Sequence, residues 1–126
     1  MYIKLFIINE IKMEILKKVL SNDELISIAE NGFGEMVKAV VDIELELVAI
    51  DAELHSDLEA LLLEQGSAQN NLWGINYYPE LNNDDFVEFD SMINIRPNQG
   101  NKSRSVQDES IQQKILQISK KWISRI

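Results

Sequence analysis

Apolar and polar positions change their spacing several times along this chain, and each change marks an element. Met13 to Leu20 mixes apolar residues with lysines in partial alternation, which predicts a strand. Ser21-Asn22-Asp23-Glu24 follows with capping-box spacing, and Leu25, Ile28 and Ala29 then share a helical face that Gly32 and Gly34 can end. Met36 to Ile43 is rich in β-branched residues and reads as a strand. Leu45 to Ile50 reads as its hairpin partner. Leu54, Leu58, Leu61 and Leu62 recur at helical spacing before Gly66, predicting a helix over 55–65. Asn71 to Tyr78 reads as a strand stopped by Pro79. Phe86 to Ile95 reads as one long strand, or two joined by a bulge. Asp108 caps a last helix whose stripe is Ile111, Ile115, Ile118 and Trp122. The order is β-α-β-β-α-β-β-α. It predicts a single α+β domain over 13–126, with a mostly antiparallel sheet and helices packed on one face.

Residues 1–12, MYIKLFIINEIK, stand apart. Their apolar run is too short to span a bilayer and lacks a signal-peptide cleavage pattern. They read as an N-terminal extension, with an extra edge strand as the alternative.

The chain has 126 residues, 45% apolar and 26% charged, which are globular values. It has no cysteine, so disulfides and thiolate metal sites are excluded, in keeping with a cytoplasmic location. The net charge is -9, unevenly spread. Residues 21–95 carry one base, Lys38, against seventeen acids, whereas residues 96–126 carry seven bases against two acids. The acidic middle disfavours nucleic acid, and no helix is both basic and aromatic enough to suggest a membrane surface.

Three stretches could carry chemistry. In the polar loop after Ile95, Arg96 and Arg104 offer donor forks for a phosphate or carboxylate. Asn98, Gly100 and Asn101 tolerate the left-handed conformations that turn backbone N–H groups into an anion nest. The plain alternative is a structural connector, with the arginines paired to Asp90 or to acidic helix residues. In Glu53-Leu54-His55-Ser56-Asp57-Leu58-Glu59, the carboxylates of Glu53, Asp57 and Glu59 are candidate metal ligands, and His55, the sole histidine, a candidate general base. Helical geometry puts His55 and Glu59 on a different face from Glu53 and Asp57, which favours an ordinary charged face. On the Asn71–Tyr78 strand, Trp73, Ile75 and Tyr77 point one way, and Gly74, Asn76 and Tyr78 the other. Asn76 and Tyr78 could floor a pocket, with Trp73 beside it. The alternative is a bulge at Gly74 and a solvated Asn76.

EMVKAVVDIE at 35–44, ELHSDLEALLLEQGS at 53–67, LWGINYYP at 72–79 and EFDSMINIRPNQGNKSR at 88–104 together resemble DUF5674, a small prokaryotic family of unknown function. The likeness runs from Met13 to Trp122. It implies a stand-alone intracellular domain and brings no activity, cofactor or catalytic residue. Two functions remain. One is a protein-interaction module acting through charge polarity and the cationic loop 96–104, with a protein partner or a second copy. The other is a ligand-binding or catalytic domain for a small phosphate- or carboxylate-bearing molecule, metal-assisted or not.

Overall fold

The computed structural model describes residues 13–126. The chain runs β1 (Glu14–Ile15), β2 (Leu20–Ser21), α1 (Asn22–Asn31), β3 (Val37–Asp42), β4 (Leu47–Ile50), α2 (His55–Glu64), β5 (Leu72–Tyr77), β6 (Val87–Glu88), α3 (Glu109–Trp122) and β7 (Ile123–Ser124). A five-stranded sheet has the order β1-β4-β3-β5-β6, with every neighbouring pair antiparallel. A second, two-stranded sheet pairs β2 with β7 in parallel, joining the two ends of the domain. The fold is α+β and largely antiparallel, as the sequence predicts. The expectation for residues 1–12 lies outside the described residues. No helix among the described residues is long and apolar enough to cross a membrane.

The helices do not share one face. On β3, Ala39 and Val41 join one core cluster with Leu25 and Ala29 of α1 and Ile115 and Ile118 of α3. Val40, between them, joins Ala49, Leu58, Leu62 and Leu72 on the opposite face, under α2. The reason lies in the central strands. Residues 39–41 and 48–50 are apolar without alternation and fully buried, so both faces of the sheet need cover.

Local signals account for the helix ends. The Ser21 hydroxyl accepts from the Glu24 N–H at 3.1 Å, and the Glu24 carboxylate accepts from the Ser21 N–H at 3.2 Å, completing the capping box. Asp108 accepts from the Ser110 N–H at the start of α3. At the far end of α3, the Trp122 indole donates to the Glu46 carbonyl at 2.8 Å, and Lys121 pairs with the Glu46 carboxylate at 3.4 Å. The basic C-terminal helix is thereby pinned to the turn between β3 and β4.

The predicted first strand is two short ones in different sheets. The predicted strand over 86–95 reduces to Val87–Glu88. Beyond it the backbone turns away, and Met92–Asn94 and Pro97–Gln99 form 3-10 turns.

Candidate functional site

β6 pairs only with Asn76 and Tyr77 of β5, so Leu72 to Ile75 would form an open sheet edge. The loop covers that edge with side chains. The Asn94 amide accepts from the Gly74 N–H at 2.8 Å and donates to the Gly74 carbonyl at 2.9 Å, as a neighbouring strand would. Arg96 donates to the Gln69 carbonyl at 2.6 Å and to the Leu72 carbonyl. Its guanidinium carbon lies 4.3 Å from the centroid of the Trp73 ring. Gly74 is required because a Cβ there would fall 2.5 Å from the Ser91 Cβ. The glycine sits in regular register opposite Val40, with no bulge, and the room it leaves is filled by Ser91 and Ile93.

Each residue of the expected anion loop has a place. Arg96 is 9% exposed and committed to backbone carbonyls. Asn101 is buried. Its amide nitrogen donates to the carbonyls of Asn94, Ser103 and Ser105, and its oxygen accepts from the Gln107 N–H. Gly100 takes a φ of 83° to close the turn, and Asn98 is exposed on it. The Arg104 Nε donates to the Asp90 carboxylate at 2.6 Å, and this bond holds the guanidinium in its charged form. The two arginines therefore point to different partners and do not converge.

The metal set does not converge either. Glu53 and Asp57 are exposed, Glu59 is half-buried, and no three His, Asp or Glu side chains among the described residues come together as a metal site. Trp73 belongs to the core cluster on the opposite sheet face from Asn76, so it does not line a pocket with Asn76 and Tyr78.

His55, Asn76, Tyr78 and Arg104, singled out on three separate segments, do meet. Asn76 lies opposite Lys38 of β3 and Glu88 of β6, forming a polar row across the sheet. The Asn76 Nδ2 donates to Glu88 Oε1 at 2.8 Å and to the Asp90 carbonyl at 3.3 Å. The Tyr78 hydroxyl donates to the same Glu88 oxygen at 3.1 Å. Arg104 stands on Asp90. Lys38 lies 5.3 Å over the Phe33 ring.

His55 forms the floor. It opens α2 and is 7% exposed, and its Nε2 donates to the Ile75 carbonyl at 2.8 Å. That bond leaves Nδ1 as the lone-pair nitrogen of a neutral ring. Burial pushes the His55 pKa down, and the Ile75 carbonyl offsets this in part. Lys38 pushes it down further, while Asn76 and Asp90 push it up. The Asn76 oxygen is buried with no hydrogen-bond partner. The Asn76 side chain faces the imidazole, and a hydrogen bond to it favours the protonated ring. Burial first, then the charge of Glu88, pushes the Tyr78 pKa up, so the phenol stays protonated and donating. Asp90 is the arginine partner that the sequence offers as the plain alternative, and it pairs with Arg104. Glu88, which ties Asn76 to Tyr78, is not singled out by the sequence. The alternation of Glu88 and Asp90 along 86–90 was the available signal.

Two grooves lie elsewhere. One, of about 760 Å³, runs between Ile15, Leu47 and Leu61. The other, of about 910 Å³, lies between Phe86, Leu116 and Ile123.

No curated protein matches this chain, and no solved structure matches it. The family model described as protein of unknown function (DUF5674) matches residues 14–122. Nearly the whole described domain is covered, including the edge-capping loop and the polar row, and the chain belongs to the DUF5674 family.

Proposed function

We propose that this protein is a cytoplasmic protein-interaction module that docks on a basic partner through its charge polarity. The observation that carries the reading is where the charges go. The two loop arginines are engaged within the fold, at backbone carbonyls and at Asp90. Lys102 is the cation of loop 96–104 that stays exposed without such an engagement. Exposed carboxylates at Asp23, Glu30, Glu35, Glu53, Asp57 and Glu64 have no lysine or arginine among the described residues within salt-bridge distance. An acidic field of this kind steers association with a positively charged surface.

The second reading is a domain for a phosphate- or carboxylate-bearing ligand, and the buried imidazole of His55 favours it. A thermal-shift panel separates the two. It holds a lysine- and arginine-rich peptide, nucleotides, sugar phosphates, small carboxylates and divalent metals. A ligand at a hundredfold its dissociation constant adds about 2.7 kcal/mol, enough to move Tm by several degrees. The interaction module predicts a salt-sensitive shift with the basic peptide. A shift with an anionic ligand that vanishes in Arg104→Ala would replace it with the second reading.

A further inference from the structure

We propose that the groove between Phe86, Leu116 and Ile123 takes a small amphipathic carboxylate, its head on Arg125 and Lys120 and its apolar body along Phe86 and Leu116. The site goes beyond the docking reading and stands whether or not a basic partner binds.

The groove lies on the α3 face of the sheet, away from the polar row. Val87, which lines it, belongs to the core cluster with Ile115 and Ile118, whereas its neighbour Glu88 reaches Asn76 on the other face. Its volume of about 910 Å³ falls in the range of small-molecule sites. Phe86 and Ile123 are buried in its lining, Leu116 is half-buried, and Val19 stays 56% exposed. This lining gives an apolar body something to bury against.

Arg125 supplies the first charge, and its position is set before any ligand arrives. Its Nη1 donates to the Asn22 side-chain oxygen at 2.7 Å and to the Pro79 carbonyl at 2.8 Å, and its Nη2 donates to the Leu81 carbonyl. The guanidinium carbon sits 3.8 Å from the centroid of the Phe86 ring. Three of the five N–H groups are thereby spent. The Nε–H and one Nη2–H remain, and Nε and Nη2 flank the edge of the group that pairs side-on with both oxygens of a carboxylate. A fork already fixed by the fold loses little freedom on binding.

The charge of that fork is uncompensated. Lys120, exposed in the last turn of α3, lines the same groove. Neither Arg125 nor Lys120 lies within salt-bridge distance of a carboxylate among the described residues, Asp84 of the lining included. Burial pushes the Arg125 pKa down, and no acidic group offsets it. In a chain of net charge -9, two cations left unpaired beside an apolar groove stand out.

The ligand's chemistry follows. One fork and one ammonium suit a monoanion, whereas a polyanion would meet the repulsion of the whole acidic chain. A carboxylate without a tail would leave the apolar lining unused. The class that satisfies both is a carboxylate on an apolar body, of the medium-chain acyl kind.

Octanoate is the probe. It is titrated into the full chain to about 10 mM at fixed ionic strength, above the millimolar constant expected for so small a ligand. Backbone amide and arginine Nε–H NMR shifts are followed, with acetate and octanol standing for the head and the tail alone. The expected result is saturable shifts at Phe86, Leu116, Ser124 and Arg125 with octanoate, and responses at least about tenfold weaker to either half. Arg125→Lys keeps the charge and loses the fork, and it should weaken octanoate at least about tenfold, a loss of roughly 1.4 kcal/mol. Should that variant fail to fold, Lys120→Gln carries the test at an exposed position and should weaken octanoate about threefold. Arg104→Ala should bind octanoate as wild type does. An equal response to octanol would reduce the groove to apolar partitioning and overturn the site. So would no saturable shift, or unchanged affinity in the folded variants at Arg125 and Lys120. Loss of binding in Arg104→Ala would move the carboxylate to Arg104 and overturn this site in favour of the second reading above.

Discussion

At the scale of single residues, the chemistry of this domain is concentrated in side chains that are buried yet polar. Asn94 and Asn101 spend their hydrogen bonds on backbone, and Arg96 donates to two backbone carbonyls and to the Gln99 side chain. His55 differs because only one of its two nitrogens is engaged. Burial lowers its pKa in the folded state, so the unfolded chain binds the proton more readily. The sign follows. Above the unfolded value of about 6.5 the ring is neutral in both states, and its contribution to stability is fully present. As the pH falls below that value, the unfolded state gains protons first and stability declines, until the folded pKa is passed. His55→Gln keeps an N–H for the Ile75 carbonyl and removes the titration. Urea unfolding between pH 5 and pH 8 should show wild type losing stability toward the acid end more steeply than the variant. Parallel slopes would mean that His55 is not the group responsible.

At the scale of elements, the loop after Ile95 replaces a strand. Arg96 closes the carbonyls of Gln69 and Leu72 and covers Trp73, so Arg96→Ala strips a buried edge of its partner. Each orphaned buried acceptor costs about 1–3 kcal/mol, which puts the variant at roughly 2–4 kcal/mol less stable. Hydrogen exchange should quicken first around Leu72 to Ile75. An unchanged unfolding midpoint would contradict this structural role and return Arg96 to the anion-site candidates. The same loop marks where sequence reading stops. Elements set by local physics were legible: the Ser21–Glu24 capping box, the Asp108 cap, the leucine spacing of α2 and the β-branched run of β3. Residues 86–95 carry strand-like alternation, but their backbone leaves the sheet after Glu88. The Asn94 and Arg96 side chains then do the pairing, and no local pattern encodes that substitution. Likewise His55, Asn76 and Tyr78 could each be nominated from their segments. The meeting of Asn76 and Tyr78 at Glu88 depends on the β5–β6 register, and that of His55 with the Ile75 carbonyl on the packing of α2, both of which are tertiary. The separation of helices onto two faces was readable in principle, from the unbroken apolar runs of β3 and β4.

At the scale of the whole molecule, the fold tolerates an acidic excess that it does little to neutralise. The two ion pairs seen among the described residues, Arg104–Asp90 and Lys121–Glu46, are exposed, and such pairs contribute little. The cost of self-repulsion should therefore appear as a salt effect. Glu30 shows it most simply. It is exposed in the last turn of α1, a turn with no basic residue. There a carboxylate opposes both the net charge and the negative end of the helix dipole. Glu30→Lys reverses both terms without touching the core or the polar row, taking the net charge from -9 to -7. At low ionic strength it should raise Tm by about 1–4 °C. At about 0.5 M salt, where the screening length falls below 5 Å, most of that gain should disappear. A gain that persists in salt would point to a local packing effect. If instead there is no gain at low salt, the acidic field costs the fold little, and its retention would need no offsetting benefit from a basic partner. The expected salt-dependent gain would mean that the chain keeps a charge excess at some expense to its own stability, as a surface selected for binding cations would.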